Sequence, residues 1–77
     1  LKAWPNPFND RVRIEGNKLD GAYVWRLSDG LGRTVQRGEG RGSGGPLHHI
    51  ISGLAPGTYL FTLATGDLRG TIMLLCQ

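Results

Sequence analysis

Residues 54–63 read Leu54-Ala55-Pro56-Gly57-Thr58-Tyr59-Leu60-Phe61-Thr62-Leu63. Pro56 fixes its backbone φ angle and Gly57 tolerates positive φ, so this pair favours a sharp turn. After the turn, Tyr59, Phe61 and Leu63 recur at every second position, which is the spacing of a strand with one buried face. A tyrosine that opens a strand after such a turn is typical of a tyrosine corner, in which the ring packs inward and the hydroxyl group bonds to upstream backbone. We therefore expect this strand to be central in a β-sandwich.

The length and composition of the chain narrow its possible functions. Its 77 residues suffice for one domain but leave little room for a deep catalytic cleft. Hydrophobic residues make up 39% and charged residues 19%, and 13 glycines and 4 prolines spread among β-rich runs indicate many turns. Cys76 is the only cysteine, which excludes an internal disulfide and a multi-cysteine metal site.

The charge pattern does not indicate nucleic acid or a membrane span. The formal net charge is +3, and the nine lysines and arginines are scattered along the chain. Arg11, Arg13 and Arg26 could form an outward strip that meets an anionic sugar, lipid or nucleic acid. No outward aromatic residue is expected between them, so a solvated face is the preferred interpretation. No apolar run approaches the roughly 20 residues of a membrane helix, so no transmembrane segment is predicted.

Alternating runs predict the remaining strands. Val12 and Ile14 face inward in residues 11–15, and Val35 is the inward residue of the run at 33–37. Further runs lie at residues 1–4, 22–28, 47–51 and 68–75, in which Leu68 is also predicted to face inward. Together with the Tyr59 strand they predict an all-β, immunoglobulin-like Greek-key sandwich of about seven short antiparallel strands. Residues 1–77 form a single domain in this interpretation.

Glycine-rich segments are predicted to be turns or loops. Turns are expected at Gly16-Asn17, Asp20-Gly21, Asp29 to Gly32 and Gly66-Asp67, and residues 38–45 are predicted to be a mobile loop. Residues 40–45 formally satisfy G-x-G-x-x-G. A dinucleotide site needs a helix after this motif, whereas Pro46 and a strand follow, so we predict no cofactor.

The histidines, serines and acidic residues of the chain do not form a catalytic pattern. His48 and His49 are adjacent strand residues that point to opposite faces, so they cannot bind one metal ion. His49 shares the parity of Leu47 and Ile51 and is predicted to be partly buried, whereas His48 is predicted to be solvated. The serines, histidines and acids lack any nucleophile-elbow context. We predict no enzyme activity, no metal and no nucleic-acid partner.

Three motifs together resemble one known family. They are Trp4-Pro5-Asn6-Pro7-Phe8-Asn9-Asp10, Leu27-Ser28-Asp29-Gly30-Leu31-Gly32-Arg33 and Leu54-Ala55-Pro56-Gly57-Thr58-Tyr59. In this order and spacing they are similar to the C-terminal sorting domain of type IX secretion, type A, of Bacteroidetes-like bacteria, with Trp4 in place of the usual tyrosine. The resemblance covers essentially the whole chain. It implies a non-catalytic module at the C-terminal end of a larger cargo protein, secreted or displayed on the cell surface after passage through the periplasm and outer membrane.

The resemblance also implies partners and binding residues. The partners are an outer-membrane translocon and a sortase-like peptidase. The residues implied in binding are Trp4, Pro5, Asn6, Pro7, Phe8, Asp29, Gly32, Gly57 and Tyr59. The alternative function is a structural or adhesive accessory domain, with possible carbohydrate binding, attached to a secreted hydrolase.

The apolar residues of the last predicted strand suggest a docking surface. If Ile72 and Leu74 face the core, Met73 and Leu75 face outward, and a strand that is apolar on both sides needs a second partner surface. We expect a translocon or a second copy to dock at Met73 and Leu75, either by adding a strand or by covering the patch.

Overall fold

The computed structural model describes residues 1–66 and 68–77, and all of its regular elements are strands. They are β1 (Lys2–Trp4), β2 (Arg11–Asp29), β3 (Thr34–Ser52), β4 (Gly57–Thr65) and β5 (Leu68–Cys76). The predicted all-β class is therefore confirmed. Of the predicted turn at Gly66-Asp67, Asp67 lies outside the described residues, and Gly66 has a positive φ of 56°.

Strand β2 is the centre of one antiparallel sheet. It pairs with β3 along one edge, while β1 and β4 pair with its two halves along the other edge, and β5 pairs with β4. A straight strand of 19 residues would be roughly 60 Å long. The longest dimension of the protein is 33 Å, so the long β2–β3 hairpin must bend and the sheet curls over itself.

The bend explains why the number of strands differs from the prediction. The runs at 11–15 and 22–28 are two halves of β2, and the runs at 33–37 and 47–51 are two halves of β3. The predicted turns at Gly16-Asn17 and Asp20-Gly21 are strand positions with register shifts, which bend the hairpin while its pairing continues. The side-chain amide of Gln36 donates to the Ser52 carbonyl at 3.2 Å, so opposite ends of β3 meet across the fold. We call the two halves the first layer (β1, residues 11–16 and 47–52) and the second layer (residues 21–29, 34–42, β4 and β5).

The core consists of the inward side chains of these two layers together with Phe8. Phe61, Leu27, Val12 and Ile14 have no exposed surface, and Phe8 is 1% exposed. Among the described residues, the buried apolar ones are Phe8, Val12, Ile14, Leu27, Leu47, Ile51, Tyr59, Phe61, Leu63, Leu74 and Cys76. The predicted inward faces of residues 11–15, 47–51 and 59–63 are thus confirmed.

The prediction that residues 38–45 form a mobile loop is wrong. These residues belong to β3, and residues 38–43 pair with β2, with Gly40 opposite Tyr23 and Gly38 opposite Trp25. A Cβ atom at Gly38 would lie 2.9 Å from the Trp25 ring, and one at Gly40 would overlap the Tyr23 hydroxyl group. The glycine segment of residues 38–42 is therefore packed, with the aromatic rings of the neighbouring strand lying over Gly38 and Gly40.

Three further side chains lie differently from the prediction. Val35 is 43% exposed, because Thr34 and Gln36 pair with adjacent residues of β2 and leave Val35 as the extra residue of a bulge. The same irregularity leaves Ser28 only 6% exposed, although alternation predicts an outward side chain. Leu68 is 73% exposed because it pairs with Thr65, beyond the last buried residue of β4.

Candidate functional site

The N-terminal motif lies along the outer edge of β5. The Phe8 N–H donates to the Leu75 carbonyl at 2.9 Å, and the Phe8 carbonyl accepts from the Gln77 N–H at 2.8 Å. The Asn6 side-chain amide donates to the Met73 carbonyl and accepts from the Leu75 N–H, both at 3.0 Å. The Asn6 amide therefore takes the place of a strand's peptide group, and the motif closes this part of the sheet edge.

This closure limits how a partner could dock on β5. The hydrogen bonds of Asn6 and Phe8 occupy the outward backbone groups of residues 73–77. A partner that added a strand there would first have to displace both residues. The expected docking by strand addition is therefore opposed at this end of β5, while docking by covering the side-chain face remains open.

The second motif is a hairpin turn closed by Asp29. One Asp29 carboxylate oxygen accepts from the N–H groups of Leu31 (2.9 Å) and Arg33 (3.0 Å), and the other accepts from Arg33 Nε at 3.0 Å. The Arg33 backbone hydrogen bond is the main cause that lowers the pKa of Asp29 below its usual value. Gly32 has a φ of +83°, a conformation that glycine adopts without a steric penalty. The motif residues Asp29 and Gly32 thus build the turn between β2 and β3.

The third motif forms the predicted tyrosine corner. Tyr59 is 8% exposed, and its hydroxyl group donates to the Ala55 carbonyl at 2.6 Å. Gly57 has a φ of +154° and begins β4, so the chain turns from the Leu54–Pro56 corner into the strand as expected. The bond between the ring hydroxyl and upstream backbone fixes the corner to the core.

The structure brings most of the motif residues to one end of the second layer. Asp29 pairs with Tyr59, which in turn pairs with Leu74. In a neighbouring row Gly57 pairs with Cys76, which forms a bridge to Phe8. Three motifs that are far apart in sequence therefore converge around the end of β5. Pro5 and Pro7 are exposed links of the first motif.

Trp4 lies away from this end of the fold. It pairs with Arg13 in the first layer and is 69% exposed. Arg13 also contacts Glu15 at 3.8 Å. The expectation that no outward aromatic residue lies among the arginines is therefore wrong for Arg11 and Arg13. The first motif thus divides: Phe8 enters the core, Asn6 binds β5, and Trp4 faces solvent.

An exposed apolar patch lies on the outer face of the second layer, next to Asn6. Met73 is 63% exposed and Leu75 is 42% exposed, so both face outward as expected. Leu60 pairs directly with Met73 and is 40% exposed, which makes it part of the same surface. Sequence analysis missed Leu60, although its position between Tyr59 and Phe61 places it on the outward face. We call Leu60, Met73 and Leu75 the β5 patch.

The histidines occupy the positions that alternation predicts. His48 is exposed, whereas His49 packs against Trp25 and Phe61 with ring centroids 4.5 and 5.8 Å apart, respectively. Burial lowers the pKa of His49 below its usual value. Among the residues that the structure describes, no three His, Cys, Asp or Glu side chains are grouped so that they could hold a metal ion.

The fold and the converging motifs define a small all-β recognition module. A family model described as the secretion system C-terminal sorting domain matches residues 2–75, and the chain belongs to this family. It is a sorting signal of type IX secretion, which implies export to the cell surface or secretion. No curated protein and no solved structure matches the chain. The described residues include no helix that is long and apolar enough to cross a membrane.

Proposed function

We propose that the outer-membrane translocon recognises this sorting domain at the β5 patch. The observation that carries the proposal is the exposure of Met73 and Leu75 on a strand whose opposite face, at Leu74 and Cys76, is buried in the core. Covering one large apolar side chain completely contributes roughly 1.5–3 kcal/mol. Because the three patch residues are already partly covered, a partner that covers them gains less than three full contributions of this size. A binding free energy of this order suits transient recognition.

The proposed mode of docking is contact with the side-chain face. Asn6 and Phe8 already occupy the adjacent edge of β5, which favours a partner that lies on the patch over one that extends the sheet. Asn6 and Pro7 are themselves exposed beside the patch and would form its border. In this proposal Phe8, Asp29, Gly32, Gly57 and Tyr59 act indirectly by holding β4 and β5 in place.

We further infer that the module acts by being recognised and performs no catalysis. Its histidines point to opposite faces of β3, and His49 is packed against aromatic rings. A sorting signal requires a cargo, so we propose that these residues form the C-terminal module of a larger secreted protein. We also propose that a sortase-like peptidase removes the module, as the resemblance of its motifs implies.

Surface delivery of a reporter tests the β5 patch. The domain is fused to the C-terminus of a secreted reporter in a host with type IX secretion, and surface signal is compared between the wild type and Met73→Lys plus Leu75→Lys. We expect at least a tenfold loss of surface reporter in the double variant. The matched control is Leu31→Lys plus Leu68→Lys, which adds the same charge at leucines that are 80% and 73% exposed outside the patch.

Circular dichroism must show that both lysine variants fold like the wild type. Equal delivery of the wild type and the β5 patch variant would refute the docking role. Equal loss in both lysine variants would show that added charge alone impairs sorting. A wild-type fusion that stays inside the cell would count against the sorting function of this chain and favour the accessory-domain alternative.

A further inference from the structure

The outer face of the first layer carries an aromatic ring among basic side chains. Trp4 of β1 pairs with Arg13 of β2, and Arg13 pairs on its other side with Ile50 of β3. Trp4 is 69% and Ile50 56% exposed, so two apolar side chains flank one arginine in the same row. Arg11 lies two residues along β2 and shares this face.

The charges on this face are mostly positive. Lys2, Arg11 and Arg13 are all exposed, and the acidic residue beside them is Glu15, which lies 3.8 Å from Arg13. His48, the β3 partner of Glu15, is exposed on the same face. The face therefore favours an anionic partner.

A shallow surface cavity lies between the aromatic ring and the arginines. Its volume is about 280 Å³, and its lining includes Trp4, Pro5, Arg11, Arg13 and Ile50. Guanidinium groups bind phosphate oxygens in a planar, two-pronged geometry. A single anionic headgroup therefore fits the chemistry of this cavity.

We propose that this face docks on an anionic lipid surface. Tryptophan is favoured at membrane interfaces, where its apolar ring and its polar N–H meet different surroundings. Trp4 and Ile50 would enter the boundary between headgroups and acyl chains, while Arg11 and Arg13 pair with lipid phosphates. We call Trp4, Arg11, Arg13 and Ile50 the Trp4 face.

The side chains of this face favour lipid over the other anionic partners. A single-stranded nucleic acid would use several aromatic rings for successive bases, and this face offers one. A saccharide would use polar side chains that bond to its hydroxyl groups beside the stacking ring. The Trp4 row contains Arg13 and the aliphatic Ile50. Ile50 offers no hydrogen bond to a saccharide and suits a lipid boundary.

Vesicle binding by the 77-residue chain tests the proposal. Binding is measured by co-sedimentation and tryptophan emission with vesicles of phosphatidylglycerol mixed with phosphatidylcholine, and with phosphatidylcholine alone. We expect binding and a blue shift with the anionic vesicles only, weakening as salt is added. The Trp4→Phe variant should lose the blue shift, since the half-buried Trp25 stays in the fold.

Paired variants distinguish specific binding at the Trp4 face from general charge attraction. Each basic residue near an anionic surface strengthens binding about fivefold, so Arg11→Gln plus Arg13→Gln should weaken partitioning about 25-fold. Arg26→Gln plus Arg69→Gln removes the same charge from exposed positions in the second layer and should have a much smaller effect. Met73→Ser plus Leu75→Ser should leave vesicle binding unchanged, which separates the Trp4 face from the proposed sorting surface.

Several results would overturn the proposal. Equal weakening by the two arginine pairs would show unspecific charge attraction. Equal binding to neutral vesicles would show apolar adsorption without recognition of lipid phosphate. Loss of binding in the Met73 and Leu75 serine variant would assign the adsorption to the β5 patch. Stronger binding to soluble heparin than to vesicles, lost in the Arg11 and Arg13 variant, would identify a saccharide site instead.

Discussion

The Tyr59 strand and the glycine segment of β3 reach a packed state by opposite means. In the Tyr59 strand, Tyr59, Phe61 and Leu63 fill the core with their own side chains. In residues 38–42 the inward positions are glycines, and the rings of Trp25 and Tyr23 from β2 cover two of them. One region contributes apolar volume, and the other contributes the space that the rings of its neighbour occupy.

This difference explains why the sequence predicts the packing of the Tyr59 strand but not that of the glycine segment. The buried face of an alternating run of large apolar residues can be predicted from that run alone. A run with glycine at alternate positions has the composition of a flexible loop, because the residues that make it a strand are about 15 positions earlier in the chain. Substitutions in the two regions should therefore destabilise the protein for opposite reasons. A smaller side chain in the Tyr59 strand leaves a cavity, whereas a larger one in the glycine segment overfills the available space.

The largest effect is expected at Tyr59. Tyr59→Ala should lower the free energy of unfolding by about 3 kcal/mol or more, because it removes a buried ring and leaves a cavity. Tyr59→Phe keeps the ring and removes the hydrogen bond to Ala55, at a cost of about 1 kcal/mol. Chemical denaturation measures both values. Two neutral substitutions would show that the corner does not stabilise the fold.

Overfilling of the glycine segment should have the next largest effect. A Cβ atom at Gly42 would overlap the backbone carbonyl of Leu19, which cannot rotate away as a side chain can. We expect Gly42→Ala to destabilise the protein by about 1–3 kcal/mol. Gly45→Ala is the control, since no atom lies within 4 Å of a Cβ there. If denaturation midpoints of both variants equal that of the wild type, the segment is not packed as described.

Asn6 is a third case in which one part of the chain completes another. Asn6→Ala should cost about 1–2 kcal/mol, because two hydrogen bonds to the β5 edge are lost. The N–H of Leu75 should then exchange with solvent faster, and amide hydrogen exchange measures this locally. The unaltered amides of β4 residues opposite β5 serve as the internal reference. Unchanged protection of Leu75 would contradict the closure of this edge by Asn6.

Features of the fold and of the candidate site divide in the same way into those that the sequence predicts and those that it does not. The all-β class, the tyrosine corner and the outward Met73 and Leu75 follow from local patterns. The bend of the β2–β3 hairpin, the bulge at Val35 and the contact of Asn6 with β5 depend on register and on residues distant in sequence. The same applies to the β5 patch and the Trp4 face, since the placement of Leu60 beside Met73 and of Trp4 beside Arg13 depends on the pairing of the sheet.

The smallest expected effect is the pH response of His49, which joins the two compared regions. Its ring packs against Trp25, which covers Gly38, and against Phe61 of the Tyr59 strand, and these two rings also stack on each other. Because burial lowers the pKa of His49 in the folded state, the unfolded chain binds the proton more readily. Stability from this group is therefore complete above the unfolded pKa of about 6.5 and is lost as pH falls from there through the folded pKa.

Denaturation midpoints measured between pH 7.5 and pH 5 test this response. The wild type should lose stability gradually across this range, and His49→Gln should show a flatter profile from a lower starting stability. The matched control is His48→Gln, because His48 is the exposed neighbour on the opposite face of β3 and its replacement should leave the slope unchanged. A wild-type slope that disappears in the His48 variant and persists in the His49 variant would place the titrating group outside the aromatic cluster.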